Sequence, residues 1–164
     1  MILKNKIGIM QGRLLPKYLG KYQAHPIGYW QNEFNVANDL GLDCIEFILD
    51  FDQAENNPLL KSNGLKDSQK IEKISGVKVL SICADYFMEA PIHSDNFNIV
   101  DKSLATLDRL IKNASLISVS DIIVPCVDKS SLKNKKDIDN FVNNIKLVIK
   151  TAETFDVNIC LETD

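Results

Sequence analysis

Apolar residues along this chain alternate between two patterns. Short runs rich in isoleucine and valine, at residues 7–10, 44–50, 77–84, 122–127 and 158–162, have the length and composition of strands. Between them lie longer segments of helical period. In residues 98–119, Leu104, Leu107, Leu110, Ile111 and Ala114 recur at steps of three and four, which places them on one face of a helix. Residues 137–155 repeat the pattern with Ile138, Phe141, Val142, Ile145, Val148, Ile149 and Ala152. Two shorter helices are predicted at 30–40 and 67–74, closed by Gly41 and Gly76 as C-terminal caps. Asn56, Asn57, Pro58 and Gly64 mark the stretch before the second of these as loop.

Strand and helix therefore alternate four times before a fifth strand. This order specifies an α/β protein with a parallel sheet and right-handed crossovers. Two architectures fit, an open doubly wound sheet and the first part of a (β/α)₈ barrel. A nucleotide-binding open sheet would carry a glycine-rich phosphate loop after its first strand. Here Gln11-Gly12-Arg13 instead opens a long loop containing Tyr18, Tyr22, His25 and Tyr29.

Residues two apart on a strand share a face. The second strand separates Cys44, Glu46, Ile48 and Asp50 from Ile45, Phe47 and Leu49. The third separates Ser81, Cys83 and Asp85 from Leu80, Ile82 and Ala84; the fourth groups Cys126 with Asp128, and the fifth Cys160 with Glu162. If the wholly apolar faces meet the helices, Asp50, Asp85, Asp128 and Glu162 converge on one mouth at the strands' C-terminal ends, where barrels keep their catalytic groups. Caps or turns are the other reading of Asp50 and Asp128.

Composition narrows the function classes. The 164 residues are 45% hydrophobic and 25% charged, an ordinary globular balance that supports a single domain over 1–164. A net charge of −3 without a long basic run predicts no nucleic-acid partner. No stretch of about 18 apolar residues predicts a membrane span, and the N-terminus lacks a signal-peptide pattern, so a cytoplasmic location is expected. Cys44, Cys83, Cys126 and Cys160 lie far apart inside apolar runs and read as buried reduced thiols.

The blocks "IGIMQGRLLP", "YQAHPIGYWQNEFNVANDLGLDCIEFILD", "GVKVLSICADYFMEAPI", "DIIVPCVD" and "ICLETD" resemble the xylose-isomerase-like TIM-barrel superfamily, specifically its sugar-phosphate isomerase/epimerase branch. The resemblance runs in order from Lys6 to Asp164. It implies a TIM barrel of which this chain carries about the first five of eight strands. It also implies one divalent metal ion, Mn, Mg, Co or Zn, at the C-terminal mouth, and a sugar or sugar phosphate as the small-molecule substrate. By the same resemblance Glu162 is both a metal ligand and a catalytic carboxylate that moves a proton on and off the carbon beside a carbonyl. The other ligands of such a set have no counterpart here, so an incomplete metal site is expected.

Four further residues are candidates for substrate binding. Glu46, set mid-strand between Ile45 and Phe47, needs either an ion-pair partner in the barrel floor or a substrate. Asp85 suits a pocket or a cap. The planar fork of Arg13 suits a phosphate or carboxylate clamp, or solvent. His25 lies in the loop on the side of the mouth, as a substrate contact or a bystander. Competing readings are a non-catalytic half-barrel that pairs with another chain, a homo-oligomer included, and an apurinic-site DNA endonuclease. The latter would need histidines where this sequence has Asp85 and Pro125-Cys126-Val127-Asp128.

Overall fold

The computed structural model describes residues 5–163; Asp164 and the first four residues lie outside them. Its parallel strands are β1 (Gly8–Met10), β2 (Cys44–Ile48), β3 (Lys78–Cys83), β4 (Asp121–Cys126) and β5 (Asn158–Thr163). Its helices are α1 (Asn32–Asp39), α2 (Ser62–Ser75), α3 (Tyr86–Glu89), α4 (Phe97–Leu116) and α5 (Lys135–Phe155). The five strands pair in the order β1-β2-β3-β4-β5. Each strand thus lies beside its neighbour in sequence. A doubly wound sheet reverses direction partway, whereas a barrel winds onward, so the order selects the barrel.

The helix-facing side holds the core. Phe34, Ile45, Phe47, Leu49, Leu107, Leu110 and Ile111 are fully buried there. Each such side chain contributes about 1.5–3 kcal/mol over its exposed state. The long helices are capped by asparagine: the Asn96 side chain accepts from the Asn98 amide at 3.0 Å, and Asn134 accepts from Asp137 at 3.1 Å. Those bonds satisfy amides that the first turn leaves free.

Strand parity holds on β2, holds on β3 except at Leu80, and fails on β4. On β2, Ile45, Phe47 and Leu49 enter the helix-side core as alternation predicts. On β3, Ile45 pairs with Val79 but Glu46 pairs with Ser81, so Leu80 is an inserted bulge residue. Val79, not Leu80, therefore joins Ile82 and Ala84 in the core. On β4, Ile122, Val124 and Cys126 face the helices, which corrects the expectation that Cys126 lies on the mouth side. Asp128 does not extend that strand; it is exposed and opens a short 3₁₀ turn, Asp128–Ser130, at φ 51°.

Helix α2 begins five residues before its expected start at Asp67. Gly64, read from the sequence as a loop residue, sits inside it. A Cβ built there would lie 2.4 Å from the Pro58 Cα, so the glycine allows the helix to pack on the preceding 3₁₀ turn, Pro58–Leu60. Close approach rather than a turn explains it.

Candidate active site at the strands' C-terminal ends

Register fixes which side chains share the face opposite the helices, because directly paired residues point the same way. Met10, Glu46 and Ser81 form one row, continued by Asp121 and Asn158. The next row toward the C-terminal ends is Ile48, Cys83, Ile123 and Cys160. Beyond it Pro125 pairs with Glu162. Glu162 thus stands at the top of β5, exposed, on the face the sequence assigned to it.

Of the sequence candidates, Asp85 bonds the Cys83 thiol directly. Its Sγ donates to Asp85 Oδ1 at 3.2 Å. Burial drives this thiol far above its ordinary pKa, and the charges of Asp85, Glu46 and Glu162 add to the shift. Glu46 is half-buried and accepts from Ser81 Oγ across the β2–β3 pair at 2.5 Å, so its partner is a hydroxyl rather than a cation. Glu162 lies near the end of β5, whereas Asp85 lies two residues beyond the end of β3, at the start of α3.

The loop after β1 forms the rim. Glu33, in the first turn of α1, is fully buried. Its carboxylate accepts from the Gly12 amide at 2.8 and 2.9 Å and from Leu14 at 3.1 Å. Burial raises the Glu33 pKa, and these amide bonds pull it back. Gly12 has φ 88°, and a Cβ there would meet the Ala24 carbonyl oxygen at 2.6 Å, so only glycine fits. This clamp projects Arg13 outward, where Nη2 donates to Gln23 Oε1 at 3.3 Å. Gln23 in turn donates to Asp85 Oδ2 at 3.1 Å. Both oxygens of Asp85 are thereby oriented from the protein side.

His25 is 3% exposed and packs against Trp30 and Phe47, with ring centroids at 6.0 and 5.7 Å. It is a buried side chain rather than one on the loop surface. Its amide donates to Asp50 Oδ2 at 2.8 Å and its Nδ1 lies 3.1 Å from Gln11 Oε1. Burial lowers its pKa to about 3, so the ring is neutral at physiological pH. The same desolvation raises the Asp50 pKa, opposed by the His25 amide and Lys21 and reinforced by Asp85 and Asp52.

A cleft of about 430 Å³ opens between this loop and the ends of β2 and β3. Lys21, Gln23, Asp50, Phe51, Asp52, Asp85, Met88 and Glu89 line it. The sequence pointed to Asp85 and Asp50 through strand parity. It gave no sign of Gln23, Met88 or Glu33, whose roles depend on contacts 21 to 62 residues away.

The carboxylates do not make a metal centre by themselves. Among the described residues no three His, Cys, Asp or Glu side chains are grouped to hold an ion. A hard divalent cation wants about six oxygen ligands, and Glu162 alone offers one carboxylate.

No family model matches the sequence, and no curated protein does either. Solved structures do match. A D-psicose 3-epimerase, determined in the presence of D-fructose, superposes with a TM-score of 0.70 at 16% identity, over 96% of this chain and 52% of its own. The 3-keto-D-glucoside 4-epimerase YcjR from E. coli gives 0.67 at 14% identity, over 96% of this chain and 56% of its own. The IOLI protein, solved with a bound zinc atom, gives 0.67 at 14% identity, over 97% and 51%. The chain spans about half the length of each. The first two are named as sugar epimerases, and what the present chain shares with all three is the fold, the β/α units of a TIM barrel over about half of each chain.

Proposed function

We propose that the chain is the N-terminal part of a (β/α)₈ enzyme that isomerises or epimerises a sugar, with Glu162 as a catalytic carboxylate. One observation supports this reading: the register puts Glu46 and Glu162 on the side of the sheet away from the helices, and Asp85, bonded to the Cys83 thiol, lies just beyond the end of β3. In a barrel that side, at the strands' C-terminal ends, is where substrates are held. The epimerase names of the structural neighbours supply the reaction class.

In this reading Glu162 accepts the proton from the carbon beside the sugar carbonyl, and a carboxylate on the opposite face returns one, so the centre inverts. Asp85, held by Gln23 and the Cys83 thiol, accepts substrate hydroxyls. Arg13 reaches the substrate from the rim, Glu46 sets the floor beneath it, and His25 lies behind the cleft. Glu162 also serves as one ligand of a divalent ion (Mn, Mg, Co or Zn), completed by residues outside this chain; the zinc in the IOLI structure supports that part. Four free thiols fit a reducing, cytoplasmic setting.

Solvent deuterium uptake at the substrate's α-carbon tests the assignment. In the complete protein, a panel of ketoses should show exchange that falls about 10²–10⁴-fold in Glu162→Gln. Exchange at the wild-type rate in that variant overturns it.

A further inference from the structure

Gln11 and Gly12 are buried, as are Ala24, His25 and Pro26, yet none of residues 15–23 between them is. The two buried ends are fixed. Glu33 accepts from the Gly12 and Leu14 amides at one, and the His25 amide donates to Asp50 Oδ2 at the other. The ends also touch: a Cβ on Gly12 would lie 2.6 Å from the Ala24 carbonyl oxygen and 2.9 Å from its amide nitrogen. Residues 15–23 therefore leave and re-enter the body of the protein through one narrow neck, the form of an Ω-loop.

Beyond the neck the segment has its own structure and few ties. The Lys21 amide donates to the Tyr18 carbonyl at 2.9 Å, closing a tight turn in which Leu19 has φ 50° and Gly20 φ 80°. Among the described residues this is the only backbone hydrogen bond that 15–23 make. Lys17 Nζ sits over the Tyr22 ring, 3.7 Å from its centroid, so the tip is braced internally. Contact with the rest of the protein is through side chains. Gln23 Nε2 donates to Asp85 Oδ2 at 3.1 Å, the exposed Lys21 lies 4.0 Å from Asp52, and Tyr18 meets Tyr29 edge-on at 6.2 Å. A recess of about 20 Å³, lined by Tyr18 and Leu19 together with Gln53 and Ala54, remains under the tip.

We propose that residues 15–23 are a flap that swings as a unit between its two buried anchors, is latched by the Gln23–Asp85 bond, and gates the cleft at the ends of β2 and β3. Lys21 and Gln23 line that cleft together with Phe51, Asp85 and Met88, so lifting the flap removes part of its wall. A rigid tip on fixed ends moves as one body, and side-chain ties can break without disturbing the sheet. The device does not depend on which reaction the cleft serves.

Backbone ¹⁵N relaxation dispersion on the 164-residue chain reads motion on the microsecond-to-millisecond scale of loop opening. Residues 15–23 should share one exchange rate, with the Gly12, Leu14, Ala24 and His25 amides flat and Phe51 and Met88 reporting the rate of the flap. Gln23→Leu should raise the open population on the order of tenfold, through loss of a hydrogen bond to a charged acceptor. Asp52→Asn should raise it only about twofold, because the pair it breaks is exposed. Trypsin cleavage after Lys17 and Lys21 extends the measurement to slower opening and should rise by the same factor in Gln23→Leu, with no gain in cleavage within α4. Flat profiles together with unchanged cleavage in Gln23→Leu overturn the flap. Unrelated rates along 15–23, or exchange that leaves Phe51 and Met88 untouched, overturn it as a gate.

Discussion

His25 shows how one side chain ties the loop after β1 to the sheet. Its ring lies among Trp30 and Phe47, its amide holds Asp50, and its Nδ1 meets Gln11, which also anchors β2 at Ile48. Because burial lowers its pKa from 6.5 to about 3, protonation favours the unfolded chain. The associated stability is complete above pH 6.5 and is lost as pH falls from there toward 3. Between pH 7 and about 4.5 the loss should be about 2–3 kcal/mol, read as a lower urea midpoint. Glu33 and Asp50, with raised carboxyl pKa values, act in the opposite direction, since their charged forms cost more in the native state as pH rises. His25→Phe should therefore flatten the acid-side loss relative to the wild type; an unchanged slope would show that His25 does not set it. None of this was visible in a loop histidine flanked by alanine and proline. The burial comes from aromatic residues on β2 and around the start of α1.

At the scale of elements, glycine and parity carry the main lessons. Gly64→Ala would ordinarily favour a helix by about 1 kcal/mol. In α2 it should instead destabilise by about 1–3 kcal/mol, because the added methyl meets Pro58 at a distance no Cβ tolerates. Equilibrium urea unfolding gives the sign directly, and a stabilised Gly64→Ala would mean that α2 does not pack on the 3₁₀ turn. The two long helices were legible from their apolar stripes, and α5 ends at Phe155 as expected. Helix α3 was not, since four residues are too few to show a period. Strand parity was reliable on β2, where five residues alternate cleanly. On β3 it missed only Leu80, which a bulge sets out of phase, and it misled on β4, whose Ile122, Ile123 and Val124 make both faces apolar. A run buried on both sides carries no phase in its hydrophobicity.

For the molecule as a whole, the sheet grades from a protected centre to two flanks. Among the described residues β2, β3 and β4 are each paired on both sides, and β1 and β5 on one side only. Amide exchange should follow that grading, with β3 opening only on global unfolding and β5 at lower cost, as contiguous units do. Exchange of β5 as slow as β3 in the 164-residue chain would show that its free side is covered in solution, as pairing with another copy would do. No described helix is long and apolar enough to cross a membrane, in keeping with the sequence. The sequence by itself determined the α/β class, the β/α alternation and the placement of Glu162 at the end of a strand, because periodicity and strand length are local properties written into consecutive residues. Only the tertiary structure decided that the strands wind in one direction, that Asp85 bonds the Cys83 thiol and that Glu46 pairs with Ser81. It also decided that Gln23 orients Asp85 and the His25 amide orients Asp50. Most of those features depend on pairings between residues far apart in the chain, formed by burial and hydrogen bonding across elements, which no local pattern encodes.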